Sequence, residues 1–401
     1  IGGGRYFIST ELSLNSNDSG TEAIPVIYKA LPGETPRFIG GSAIDPASFS
    51  KVTSNSPIWH RLDPSARENI VECNLVDLGI TGFGDLTSEH NNPIHSELSF
   101  NGEIMQLGRW PNEDFTLIYE ALSETTFVYD HDRPNRWTEA SAPWVNGYWR
   151  HLWANKYLPV TKIDTTSNII AITDPPHYPI ATGRFWYGLN LLEEIDRPGE
   201  WYLERKNDAD NNQYGTLYFW PPNEISSAEI LLSLHGVDGS AFIRLDSVSH
   251  VRFKGLSFEL TRADGFIINN SHNILIVRCN LRNIGRHGVV TKNCVRVGVL
   301  NSELYAIGSE GVRLSGGDRQ TLTPGRNFVR NSHIHNFSRW KRTYSQAIRF
   351  HEGAGNEATH NLIHGTPHIA IQYSGNDHLI RYNEIYNSCW ETGDAGVIMG
   401  D

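Results

Sequence analysis

Six carboxylates of the last quarter of the chain fall near one strip of the repeat: Glu310, Glu352, Asp377, Glu391, Asp394 and Asp401. Two carboxyls facing one bond are what glycoside hydrolysis requires. One protonates the leaving oxygen, and the other attacks the anomeric carbon or activates water. Asp394, Asp401 and Glu352 are the candidates for these roles. Interleaved with them are Arg313, Arg349, His351, His368 and Gln372, which with Glu391 can hydrogen-bond sugar hydroxyls. Trp340 and Trp390 offer flat apolar faces to sugar C–H groups. The cations also permit a rival chemistry, in which one neutralises a uronate carboxylate while a base removes the adjacent proton. Arg313, Arg349, His351 and His368 can supply that. Nothing in the sequence resembles a serine hydrolase elbow or a phosphate-binding glycine loop.

A repeat must position these side chains. Phe258, Leu281, Leu304, Ile334, Ile363 and Ile385 form one apolar column, and Phe266, Val289, Val312, Ile348, Ile371 and Val397 a second, at a period near 23 residues. A fixed period of this size means a solenoid, in which each unit buries its apolar face only against its neighbours. Each unit reads as two short alternating segments split by turn residues, which is one coil of a parallel β-helix. The residue before each second-column anchor is small: Gly265, Gly288, Gly311, Ala347, Ala370 and Gly396. Strict in–out alternation then predicts a shallow outward channel beside Ile267, Val290, Arg313, Arg349, Gln372 and Ile398. Two coils are lengthened by loops that carry Trp340 and the run from Trp390 to Asp394, and these loops should overhang that channel. Glu352, Gly375 and Asp401 fall in one register column. At about 4.8 Å per coil, Glu352 and Asp401 would stand roughly 10 Å apart, near the spacing of an inverting pair.

The remaining composition narrows the class. Of 401 residues, 39% are hydrophobic and 20% charged, which suits a chain with a large core. A net charge of −11 argues against nucleic acid or an anionic membrane as partner. No apolar run reaches the length of a membrane span. The four cysteines lack zinc-ligand spacing, and Cys279 and Cys294 read as buried, unpaired thiols. Nine of the eleven tryptophans lie between Trp59 and Trp220, so the middle of the chain differs in character from the repeats. Most of these should fill a core and two or three should meet a ligand. Residues 45–242 read as an inserted β-rich, sandwich-like domain. Its hairpin tip carries Asp208, Asp210 and Asn212, the start of a calcium-loop pattern with no closing Glu, so a solvated tip is expected. No cofactor is expected, a structural calcium ion being the one metal left open.

Longer motifs carry a family resemblance. Gly3-Gly4-Arg5-Tyr6-Phe7, Arg109-Trp110-Pro111-Asn112, Glu200-Trp201-Tyr202-Leu203-Glu204 with Gly215-Thr216-Leu217-Tyr218-Phe219-Trp220-Pro221-Pro222, and Glu391-Thr392-Gly393-Asp394-Ala395-Gly396 resemble segments of right-handed β-helix carbohydrate-active enzymes. The chain looks closest to glycoside hydrolase family 141, with family 120 related. The resemblance implies an all-β fold, a right-handed parallel β-helix with an inserted β-rich domain. It also implies that the late-coil acids Asp394 and Asp401 are catalytic. The usual ending Gly-Arg-Asp-Trp is here Ile398-Met399-Gly400-Asp401, without the arginine.

The expectation is therefore N-terminal coils over 1–44, an insertion over 45–242 and site-bearing coils over 243–401. The expected activity is hydrolysis of a plant or algal glycan, a fucoside or xyloside first. A polysaccharide lyase and a non-catalytic glycan-binding solenoid are the alternatives. The expected partner is carbohydrate, with no nucleic acid and no membrane, for a monomer or weak homo-oligomer that is secreted or periplasmic. Because a solenoid needs its end covered, a repeat that stops in mid-coil at Asp401 predicts a natural chain that continues.

Overall fold

Short strands with apolar residues at alternate positions, broken by turns, cannot bury both faces within one coil. They pair instead with the equivalent strand of the next coil. A computed structural model describes residues 1–89, 92–207, 213–236 and 239–400. The candidate acid Asp401 and the tip residues Asp208, Asp210 and Asn212 lie outside the described residues. The chain divides into two units, residues 1–42 with 233–401, and residues 43–232.

The first unit is a right-handed parallel β-helix of three sheets. The first sheet includes Ser257–Thr261, Asn280–Ile284, Glu303–Ile307, His333–His335, Leu362–Thr366 and Glu384–Ser388. The second includes Asp264–Asn269, Val289–Lys292, Val312–Leu314, Ile348–Phe350, Ile371–Tyr373 and Ile398–Gly400. The third includes Ser249–Lys254, His272–Val277, Gly298–Leu300, Phe328–Arg330, Glu357–Thr359 and Leu379–Arg381. Each coil thus has three strands, one more than the repeat suggests. The strands of the third sheet shrink to three residues in later coils, with a single inward side chain each (Val299, Val329, Ala358), too little for a visible alternation.

The first apolar column pairs through the whole stack, from Phe258 with Leu281 to Ile363 with Ile385. The second holds as far as Ile371, which pairs with Ile398 and not with Val397. The Val397 carbonyl accepts the N–H groups of both Ala370 and Ile371, so Val397 forms the corner and the strand starts one residue later. Met399, not Ile398, therefore faces Gln372, and Tyr373 pairs with Gly400. The expected register, with Ile371 opposite Val397, is therefore off by one residue in the last described coil.

The outward channel is also corrected. A Cβ placed on Gly288 would stand 2.5 Å from the Gly311 oxygen and 3.0 Å from Leu304. One on Gly311 would stand 2.6 Å from the Ala347 oxygen and 2.9 Å from Ile334. Ala347 and Ala370 are fully buried. These positions face the next coil at a tight corner, where strand alternation does not apply. Small residues are required there because the backbones of adjacent coils nearly touch.

The second unit is mostly antiparallel. Trp144–Gly147, Lys156–Asp164, Ile169–Ile172 and Phe185–Leu189 lie in one sheet. The hairpin of Glu200–Asn207 and Gln213–Phe219 joins Val71–Asn74 in another. Trp137, Trp149, Trp186 and Trp201 are fully buried, so much of the tryptophan in this unit fills its core. Cys73, Cys279 and Cys294 are buried free thiols. No helix among the described residues is long and apolar enough to cross a membrane.

The corner contact makes a direct prediction. Gly288→Val should lower the unfolding free energy by at least ~2 kcal/mol, the usual cost of overpacking a core. A denaturation midpoint equal to that of the unmodified protein would show that the coils are not in contact there.

Candidate active site

One residue precedes each small corner, and in four successive coils it is polar and buried: Asp264, His287, Glu310 and Gln346. Backbone bonds hold them in a row. The N–H groups of Gly265, Gly288 and Gly311 donate to the carbonyls of His287, Glu310 and Gln346. Asp264 Oδ1 accepts from His287 Nδ1 at 2.8 Å and from the His287 backbone N–H at 2.9 Å. The His287 Nε2 lies 3.3 Å from Arg313 Nη2 and 4.0 Å from Glu310. Arg313 grips Glu310 with two bonds, from Nε at 2.6 Å and Nη2 at 2.8 Å, and Arg349 Nη1 reaches it at 3.3 Å. The pairing of Val290, Arg313, Arg349 and Gln372 along the second sheet delivers these side chains to one strip.

Burial alone would raise the Glu310 carboxyl. The guanidinium of Arg313 outweighs it, with help from His287 and Lys341, and holds the group at about 2. Glu310 is therefore a permanent anion at neutral pH. It organises cations and cannot donate a proton to a leaving group.

The first long loop lies back over this row. The N–H groups of Trp340 and Lys341 both donate to the Gly308 carbonyl, at 2.9 and 3.0 Å. Gly308 must be glycine, because a Cβ there would run into the Gly285 oxygen and approach Trp340 Cδ1 to 3.2 Å. Burial lowers the Lys341 pKa, and Arg313, Arg349 and Arg286 add to the shift against the pull of Glu310. Among the described residues the Lys341 ammonium has no ion pair or hydrogen bond.

The second long loop is tied to the first. Arg342 makes a two-point ion pair with Glu391, its Nε at 3.0 Å, and lies 5.2 Å over the Trp390 ring. The Tyr344 hydroxyl donates to Asp394 Oδ2 at 2.6 Å. The Tyr344 N–H donates to His368 Nδ1 at 3.0 Å. His368 is fully buried, and burial lowers its pKa. Asp394 is exposed, and Trp390 is 54% exposed.

The fold thus brings together Arg313, Arg349, Gln372, His368, Trp340, Trp390, Glu391 and Asp394. Several are already occupied: Glu391 by Arg342, Gln372 by Gln346, and His368 by the Tyr344 backbone. His351 and Glu352 sit elsewhere, beyond the far end of strand Ile348–Phe350. Glu352 follows that strand, which lies between it and the corner residue Gln346. Its φ of 61° and its N–H bond to Ser374 Oγ make it a turn residue. Asp264, His287, Lys341 and Tyr344 were not expected here. The first two stand two residues before their column anchors, so one more step along the repeat would have exposed them.

Two other features do not compete. Burial raises Glu194 and Glu200 to about 7, but Arg133 and Trp137 bind Glu194, and the Asp196 and Arg197 N–H groups bind Glu200. A cavity of about 360 Å³ at the first coil is lined mainly by apolar residues such as Phe7, Leu12, Tyr28 and Phe242. Its one acid, Glu11, is paired with Arg244.

Residues 264–396 match a family model described as "Right handed beta helix region". No curated protein sequence matches the chain. A solved structure described as "Glycoside hydrolase" superposes with a TM-score of 0.71 at 13% identity, covering 100% of this chain and 77% of that one. A second, described as "The complex structure of XylC with xylose", gives a TM-score of 0.49 at 13% identity, over 97% of this chain and 58% of that one. At these identities the likeness is one of fold.

Glu310→Gln should lower stability by roughly 3–5 kcal/mol, because it strands buried cations. The unmodified carboxylate stabilises the fold fully above the ordinary value of 4.5, and that contribution fades as pH falls toward about 2. Chemical denaturation across this window should show an acid-labile component that the variant lacks. Equal acid sensitivity in both proteins would contradict the assignment.

Proposed function

We propose that this chain is a carbohydrate-active enzyme, a glycoside hydrolase with Asp394 as a reacting carboxylate. The observation that carries the reading is the exposed Asp394 carboxylate, oriented by the Tyr344 hydroxyl at 2.6 Å on the loop that also presents Trp390. Tyr344 occupies one lone pair of Asp394 and leaves the other oxygen for the sugar. Trp390 offers a stacking face, and Lys341 with Arg349 offers donors for hydroxyl groups. Asp394 then attacks the anomeric carbon or activates water. Asp401 stays in the proposal as its partner on the strength of the sequence resemblance. The same resemblance favours fucosides or xylosides as substrates, and a protein acting outside the cytoplasm. The structural neighbour with the 0.71 TM-score, a "Glycoside hydrolase", is in keeping with this reading.

One observation favours a second reading, elimination from a uronate-containing glycan. Lys341 is a desolvated cation without an ion pair or hydrogen bond among the described residues, set near Glu310, Arg313 and Arg349. Such a group suits a uronate carboxylate, or the removal of the proton next to it.

Asp394→Asn should cut turnover at least about 100-fold while oligosaccharide binding measured by calorimetry stays within about twofold. Full activity in Asp394→Asn would reject this carboxylate. A product with a new carbon–carbon double bond, seen by ultraviolet absorbance, would replace hydrolysis with elimination.

A further inference from the structure

The outer face of the first sheet carries a second constellation that the glycan site does not use. Register pairs Glu303 with His333, and Tyr305 with His335, then His364, then Tyr386. The intervening Leu304, Ile334 and Ile363 are fully buried. Alternation therefore turns His333, His335 and His364 outward on one patch. One nitrogen from each of the three rings lies within 4.8 Å of the others. The closest pair, His333 Nε2 and His364 Nε2, is 2.9 Å apart. Glu303 Oε1 stands 3.4 Å from both His333 Nδ1 and His335 Nε2.

These separations are close to those of a metal shell. Zinc bonds imidazole nitrogen at about 2.0–2.1 Å, which sets ligand-to-ligand edges of roughly 3.3 Å in a tetrahedron. The His333–His364 pair at 2.9 Å is close to that edge, and one nitrogen of each of the three rings lies within 4.8 Å of the others. The rings are stacked with nearly parallel planes. Tyr305, His335, His364 and Tyr386 follow one another at centroid spacings of 5.1, 5.0 and 4.6 Å. All three histidines are half-buried on rigid strands, so little ordering entropy is lost on binding.

We propose that His333, His335 and His364, with the Glu303 carboxylate beside them, bind one borderline divalent transition metal ion, zinc by the character of the donors. The ion joins two successive coils and ties them together from outside. Calcium and magnesium, which prefer oxygen shells, do not bind there.

The test uses the chain without a histidine tag, stripped with a chelator. Titration with zinc chloride should show one saturable site per chain, while calcium chloride gives none. His335→Gln and His364→Gln should each weaken zinc at least about tenfold, with His272→Gln, on the third sheet, unchanged. Saturating zinc should raise the melting temperature of the unmodified protein only. The unmodified chain loaded with cobalt(II) should show the intense visible bands of tetrahedral coordination, a readout that needs no variant to fold. Absence of a stoichiometric site, wild-type affinity in both variants, or a purely octahedral cobalt spectrum would overturn the proposal.

Discussion

Each coil must come within backbone contact of the next at the corner between the first and second sheets. The space left for a side chain is so small that Gly265, Gly288 and Gly311 have none, and Ala347 and Ala370 carry only a methyl group. This contact fixes the axial spacing and the register, and the polar strip follows from both. Asp264, His287, Glu310 and Gln346 stack because the residue after each is pinned. The same pinning lets Arg313 and Arg349 reach one carboxylate from two different coils.

The strip divides electrostatic labour between two acids. Glu310 is buried and held ionised at about 2, so it keeps Arg313 and Arg349 together, with Lys341 nearby. A buried ion pair of this kind is costly to break and contributes little net stability, so its value lies in organising the cations. Asp394 is exposed and accepts from the Tyr344 hydroxyl, which suits a group that must meet a ligand. The Arg342–Glu391 pair holds the two loops side by side and so keeps Tyr344 opposite Asp394.

Much of this was legible before the structure. The first apolar column pairs as the spacing predicts at every step from Phe258 to Ile385, because identical burial on both neighbours imposes identical residue types. The two lengthened coils announced the loops that carry Trp340, Trp390 and Asp394. The corner was not legible, because alternation holds along a strand and fails where the chain turns. That failure made a packing column look like a channel and hid Asp264 and His287. The last coil shifted by one residue because nothing in its sequence distinguishes Val397 from Ile398 as an anchor. Lys341 and Tyr344 act through loop geometry that has no periodicity to read.

Hydrogen–deuterium exchange with a saturating oligosaccharide, its binding first established by calorimetry, tests the central claim most directly. The account predicts slowed exchange in residues 338–346 and 389–396, where the two joined loops meet the polar strip. A bound glycan that protects only the turn around His351 and Glu352, or only residues of the inserted unit, would contradict it.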